Sequence, residues 1–191
     1  MKAEEKIFMT FFELKQSKLY YNQIKEHANL SHSSLQNALE KIKRANILKE
    51  QKTKSNTFYK INDKKVFALK FSEIAIQNFN SLNPNVKVPL RNFLKNLSED
   101  IYTIILFGSA SRKEEAKDSD IDLLIISNKK IDLTINKKEA EITSKHPLSI
   151  FQATIKQFKE NNDDIIIQAQ KTGFPIYKEQ NFYEVILDGY W

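Results

Sequence analysis

The sequence predicts a chain of mixed α/β (α+β) class, with a small helical part and basic hairpin followed by a mixed sheet flanked by helices. Three observations predict it. Residues 3–45 place apolar side chains at helical spacing in three successive segments, and residues 47–61 form two short strands around the loop KTKSN. Two later apolar runs, YTIILFG and DIDLLIIS, have the continuous, β-branched composition of buried strands. The charge is also divided. Residues 1–64 hold 13 Lys and Arg against 7 Asp and Glu, while residues 65–191 hold 17 of each, so the entire +6 excess lies in the first third. Such asymmetry is expected where one part meets a polyanion and another does separate work.

At 191 residues and 41% hydrophobic, the chain is long and apolar enough to bury a real core. The absence of cysteine excludes a disulfide framework and a thiolate metal site, and fits a reducing compartment. His27, His32 and His146 lack ligand spacing, which argues against a histidine metal centre. The opening MKAEEKIF has no apolar signal segment, and no apolar run approaches the roughly 18 residues of a membrane span. The expectation is a soluble, cytoplasmic protein with no membrane partner.

The first segment, residues 3–16, sets Ile7, Phe8, Phe11, Phe12 and Leu14 on a broad apolar face. The second, YYNQIKEHANL, is a short helix ending near Asn29, a residue that tolerates a left-handed turn. The third helix, over 33–45, opens at serine and turns Leu35, Ala38, Leu39 and Ile42 to one side. Ser33, Asn37, Lys41 and Arg44 fall on the other, giving a small, polar, basic outward face. Two helices, a polar-faced helix and a basic hairpin resemble the winged helix-turn-helix family of DNA-binding domains. By that resemblance the third helix enters the major groove of double-stranded DNA and the hairpin is the wing. Ser33, Ser34, Gln36 and Asn37 are then candidates for base edges, and Lys41, Lys43, Lys52 and Lys54 for phosphates. The alternative is a protein-docking module whose lysines are merely solvated.

Residues 63–83 are expected to be helical, Asn83-Pro84 is a break, and 88–100 make a further helix with proline near its first turn. Neither segment carries chemistry.

The stretch ILFGSASRKEEAKDSDIDLLIIS places one of only three glycines at the end of an apolar run and two aspartates inside the next. Residues two apart in a strand share a face, so Asp120 and Asp122 point one way while Ile121 points into the core. Two adjacent carboxylates repel, and without a cation one would have its pKa raised. A divalent ion removes the conflict, and oxygen-only ligands favour Mg²⁺ or Mn²⁺ over zinc. Gly108 lets the backbone approach a ligand closely. Ser109 offers a hydroxyl and an amide to a phosphate, and Arg112, one turn later, reaches the same anion.

Gly-Ser, ten residues and Asp-x-Asp between apolar strands resemble the DNA polymerase β-like nucleotidyltransferase superfamily, closest to its minimal nucleotidyltransferase branch. The resemblance covers about residues 101–180. It implies that Gly108 and Ser109 hold a nucleoside triphosphate, ATP foremost, and that Arg112 supports it. It also implies that Asp120 and Asp122 are the catalytic acids and bind the metal that bridges the phosphates. Two departures stand out. The family's glycine after the arginine is Lys113 here, and its third carboxylate on a later strand is not found. The corresponding strand, 146–154, offers Ser149 or Phe151. Asp132 lies in a segment expected to be helical, and Asp163 and Asp164 begin another helix closed by Gly173. The tail holds a short edge strand at 174–177 and a last helix, with Phe182, Tyr183, Tyr190 and Trp191 packing on the core or a neighbouring subunit.

The expected organisation is a DNA-binding domain at 1–62, a helical connector at 63–100 and a minimal nucleotidyltransferase domain at 101–191. The expected activity is transfer of a nucleoside monophosphate to an acceptor hydroxyl on protein, RNA or a small molecule. Two alternatives stay open: a non-catalytic nucleotide-sensing transcriptional regulator, and an antitoxin acting on a partner toxin. Self-association as a homodimer is open as well.

Overall fold

A computed structural model describes residues 2–116 and 119–189, so Tyr190 and Trp191 of the aromatic tail lie outside the described residues. The chain divides into two units, one up to Ile74 with the segment from Tyr183 onward, the other Ala75–Phe182.

In the first unit, α1 (Ala3–Leu14) buries Ile7, Phe8 and Phe11, the 3–4 spacing of an amphipathic helix. Glu5 reaches back to the Lys2 amide at 2.9 Å and satisfies one unpaired donor at its start. Then come β1 (Lys18–Tyr20), α2 (Tyr21–Ala28) and α3 (His32–Arg44). Asn29 takes the left-handed conformation, φ 47°, between the two helices, and the Ser31 hydroxyl caps α3 by accepting from the Ser34 amide. Leu35, Ala38, Leu39 and Ile42 are buried as their spacing requires. The hairpin β2 (Leu48–Lys52) and β3 (Thr57–Ile61) joins β1 in an antiparallel sheet of order β1-β3-β2. The strand β1 has no counterpart in the sequence expectation. Three residues are too few for periodicity to show, and pairing with β3 makes them a strand.

The helix α4 (Lys64–Asn80) is as expected, but the division between the units falls within it, after Ile74, rather than at either end of the 63–100 connector. Phe8, Phe11, Phe67 and Phe71 meet edge to face at 5.2–6.5 Å and fill the first unit's core with Tyr183.

In the second unit the helix expected over 88–100 instead runs Pro84–Phe93 (α5). Pro84 occupies the first helical position, where its missing N–H is no loss, so Asn83-Pro84 starts a helix, α4 having closed at Asn80. Pro89 is interior and buried. The strands β4 (Ile101–Phe107) and β5 (Ile121–Ser127) are antiparallel, joined through the one-turn helix α6 (Gly108–Arg112). The crossover through α7 (Thr134–Glu141) returns the chain to β6 (Leu148–Ala153), parallel to β5. The helices α8 (Ile155–Glu160) and α9 (Asp164–Thr172) follow, then edge strand β7 (Phe174–Tyr177) and α10 (Glu179–Asp188), which belongs to the first unit from Tyr183 on. The mixed sheet has the order β6-β5-β4-β7. The central strands are buried along nearly their whole length, which explains their unbroken apolar composition. The short helix α8 is also additional to the expected elements, although Thr154 and Gln157 form a capping box legible as T-x-x-Q. No described helix is long and apolar enough to cross a membrane.

Candidate active site

The end of β4 is shaped by one close approach. Phe107 stands opposite Asp122 in the ladder, and the chain then turns at Gly108 with φ 72°. A Cβ added at Gly108 would lie 2.3 Å from Asp122 Oδ2. Any side chain would therefore drive the carboxylate away and also strain the left-handed backbone. The Ser111 hydroxyl lies within reach of the Gly108 and Thr172 carbonyls, at 2.8 and 3.1 Å, tying α6 to the end of α9. Arg112 folds back over the same turn, with Nη1 donating to the Gly108 carbonyl at 3.0 Å and Nε to Glu114 at 2.7 Å. Ser109 is half-buried in the first turn of α6.

Asp120 is exposed and immediately precedes β5, Ile121 is fully buried, and Asp122 is half-buried. The alternation places both carboxylates on one side. Ser149 stands in register with Asp122 across the parallel β5–β6 pair, and its hydroxyl donates to Asp120 Oδ2 at 2.7 Å. Burial pushes the Asp122 carboxyl above its ordinary range, and the neighbouring Asp120 charge pushes it further. Two residues outside the motif hold the approach to Asp120. The buried His146 donates from Nδ1 to the Ser119 carbonyl at 2.9 Å, and the Ile121 amide donates to the Pro147 carbonyl at 2.9 Å. Neither His146 nor Ser111 carries a recognisable signal in sequence, because each acts through backbone carbonyls brought near only by the fold.

Among the described residues no third acid joins the pair. Asp132 precedes α7 rather than lying in a helix, and accepts from the Thr134 amide and hydroxyl at 3.0 and 2.6 Å. Asp163 caps α9 by accepting from the Ile165 and Ile166 amides, and Asp164 is in its first turn. Among the described residues no group of three or more His, Cys, Asp or Glu could hold a metal alone. The donor set nevertheless fits a hard divalent cation that takes its remaining oxygens from phosphate and water, as magnesium commonly does. Burial is the larger cause of the raised Asp122 carboxyl and the Asp120 charge the second, and such a cation would relieve that second cause.

Two hollows of this unit lie away from the acid pair. One of about 470 Å³ lies between β6 and α8–α9, lined by Leu124, Phe151, Gln157 and Ile166. Another of about 510 Å³ lies beside α7, lined by Asp132, Lys137 and Gln152. Neither is lined by Gly108, Asp120 or Asp122. Charge and close approach mark the candidate site, because a metal-bound triphosphate is held by point contacts on its oxygens.

Residues 89–173 match the family model of the nucleotidyltransferase domain. The match takes in β4, the Gly108 turn, β5 and β6, and stops at the glycine closing α9. The second unit's mixed α/β architecture is consistent with that domain. Comparison of the chain with curated proteins and with solved structures gives no match.

In the first unit, Ser33, Gln36, Asn37, Lys41 and Arg44 are exposed on α3, and Ser34 is half-buried. Lys41 is 3.3 Å from Glu4, Lys52 is 3.1 Å from Glu50, and Lys54 is exposed in the β2–β3 turn. Lys43 differs from the expectation of a solvated phosphate contact. It donates to Glu40 at 2.7 Å and also to Glu50, hydrogen bonds that raise its pKa while lowering that of Glu50. These groups line a polar cleft of about 490 Å³ between α3 and the hairpin, with Tyr21, His32 and Tyr59. Burial pushes the Tyr59 hydroxyl up to about 12.

Proposed function

We propose that the chain transfers a nucleoside monophosphate from a metal-bound nucleoside triphosphate to an acceptor hydroxyl. The observation that carries this reading is the convergence of Gly108, Asp120, Asp122 and Ser149 at the ends of three strands, inside the matched nucleotidyltransferase domain. Asp120 and Asp122 hold the cation, and the Gly108–Ser109 turn receives the phosphates where only a glycine leaves room. Arg112 releases Glu114 to meet phosphate charge. A bound magnesium ion would neutralise charge building on the transferred group and on departing pyrophosphate. The acceptor oxygen forms its bond to the α-phosphorus as the bond to the bridging oxygen of the β-phosphate breaks, and the hydroxyl proton passes to water. The N-terminal unit is a winged helix-turn-helix that binds duplex DNA through α3 and the β2–β3 turn. Its support is the order helix, strand, helix, helix, hairpin with a three-stranded antiparallel sheet, and the concentration of positive charge in residues 1–64.

A second reading, a nucleotide-sensing regulator that does not catalyse, is favoured by one observation. The position in register with Asp122 on β6 carries a serine and not an acid. The experiment that separates the two is incubation with each α-labelled triphosphate, magnesium and cell lysate. Label transferred to a lysate component, and lost in the Asp120→Asn, Asp122→Asn double variant, supports transfer. Metal-dependent triphosphate binding without any labelled product supports the sensor.

A further inference from the structure

The outward face of the three-stranded sheet has a pattern that the α3–hairpin reading leaves unused. Leu19, Leu48, Tyr59 and Ile61 are buried, so strand alternation turns Lys18, Tyr20, Lys49, Gln51, Phe58 and Lys60 the other way. These six positions form two rows across the strands. In one row Lys18 stands opposite Lys60, which stands opposite Lys49. In the next, Tyr20 stands opposite Phe58, which stands opposite Gln51. None of the six is acidic. Strands lie about 4.8 Å apart, so three ammonium-bearing positions fall within about 10 Å of one another.

The aromatic row is built as a ledge. The Tyr20 and Phe58 ring centres are 4.2 Å apart with planes tilted by 39°, and Lys18 Nζ is 4.0 Å from the Phe58 ring centre. Tyr20 is 41% exposed, a large aromatic surface to leave in water. We propose that this face binds single-stranded nucleic acid, with an unpaired base stacked on Tyr20 and the backbone phosphates drawn to the lysine row. Basic side chains beside an exposed aromatic platform are the chemistry by which proteins hold single strands regardless of sequence. A duplex keeps its bases stacked on each other and has no free ring for Tyr20, so lysines alone would not call for the ledge. Tyr20 also borders the cleft between α3 and the hairpin, but the lysine row and Phe58 do not line it, and the site requires neither the acid pair nor a triphosphate.

Fluorescence anisotropy of the full chain with labelled oligo(U) and oligo(dT) tests it, with a duplex of equal length as competitor and the two single strands distinguishing RNA from DNA. Lys18→Ala with Lys49→Ala should weaken single-strand binding about tenfold or more. It should also reduce the salt slope by roughly 0.7 for each phosphate that the lysines no longer neutralise. Tyr20→Ala should weaken binding about tenfold, and Tyr20→Phe, which keeps the ring, should not. Melting curves confirm that each variant is folded. Three outcomes overturn the proposal: no single-strand binding at low salt; binding lost with Asn37→Ala and Lys54→Ala but kept in the Lys18, Lys49 variant; or lysine dependence with no difference between Tyr20→Ala and Tyr20→Phe, which makes the face a general polyanion surface.

Discussion

The Ser149 hydroxyl donates to Asp120 Oδ2 at 2.7 Å, from a strand that sets residue 149 in register with Asp122. One neutral donor thus meets the acid pair from the later strand on which the family resemblance leads one to expect a carboxylate. Ser149 orients Asp120 but relieves little of the charge that the two aspartates share. The consequences reach stability as well as binding.

Asp122 should make the metal-free protein less stable as pH rises. Burial, and then the Asp120 charge, hold its carboxyl above the ordinary value. The folded protein therefore keeps that proton at pH values where the unfolded chain has lost it. Stability falls as pH climbs from the ordinary carboxylate range through the raised pKa, and the penalty is complete above it. Asp122→Asn removes the penalty. In EDTA its Tm at neutral pH should exceed the parent's by on the order of 1–3 °C, with a flatter pH dependence above the ordinary carboxylate range. A parent that gains stability across that range would refute the assignment.

Gly108→Ala should damage folding and binding together. The new methyl would collide with Asp122 Oδ2 at a backbone φ of 72°. The conformation alone costs about 1–2 kcal/mol for a residue with a Cβ. Displacing Asp122 should also reduce magnesium-dependent triphosphate affinity, read by calorimetry, by about tenfold or more. Unchanged affinity in a folded variant would show that the turn and the carboxylate act independently.

Lys113 gives the opposite case. It closes α6 in the left-handed region, φ 61°, at the position where the family resemblance expects glycine. Lys113→Gly should stabilise the protein by about 0.5–1 kcal/mol, because the relieved strain exceeds glycine's extra freedom in the unfolded chain. Differential scanning calorimetry reads this as a small rise in Tm, and a fall would mean that the lysine stem packs usefully on its surroundings.

Gly108, Lys113 and the aspartates show what could be recovered from sequence and what could not. Strands β4 and β5 were legible because burial on both faces demands unbroken β-branched runs, and Asp-x-Asp was legible because a strand has period two. The α3 face was legible from its 3–4 spacing. The tie between Ser149 and Asp120 depends on parallel register across a crossover, which no local pattern encodes. Lys43 looked like a free cation because Glu50, its second partner, comes from the neighbouring strand β2. The start of α5 differs from the expectation because Asn-Pro, read as a break, places Asn83 at the N-cap and Pro84 in the first turn of a helix, while α4 has already closed at Asn80.

On the DNA-binding reading, Lys54 and Lys52 should contribute affinity, and Asn37 should contribute preference. Lys54 is exposed in the turn, and Lys52 must leave Glu50 to meet a phosphate. Lys52→Ala with Lys54→Ala should weaken duplex binding on every sequence and reduce the salt slope by about 0.9 for each phosphate left without its lysine. Asn37→Ala should lower discrimination among sequences by about 1–3 kcal/mol with little change in that slope. Gel shifts over a salt series check both. Absence of any shift at low salt would favour a protein partner for α3.

Ser149→Asp tests whether the missing acid limits turnover. Residue 149 is half-buried on the same side as the acid pair, so the new carboxylate would lie beside Asp120 without entering the core. Without metal, a third negative charge there should lower the Tm, since like charges at close range disfavour the folded state. Magnesium with triphosphate should restore it, because the cation then has a fuller oxygen cage. With an acid placed to take the acceptor proton, any nucleotidyl transfer should rise by about tenfold or more, within the range a general base supplies. Metal-dependent triphosphate affinity should rise in step, since binding that recovers the lost Tm must be tighter than in the parent. The combination to look for is lower Tm in EDTA, recovery with magnesium and triphosphate, and faster transfer. If the first two occur and transfer stays undetectable, the acid pair binds metal and nucleotide but the domain does not catalyse, and the sensor reading takes the place of the enzyme.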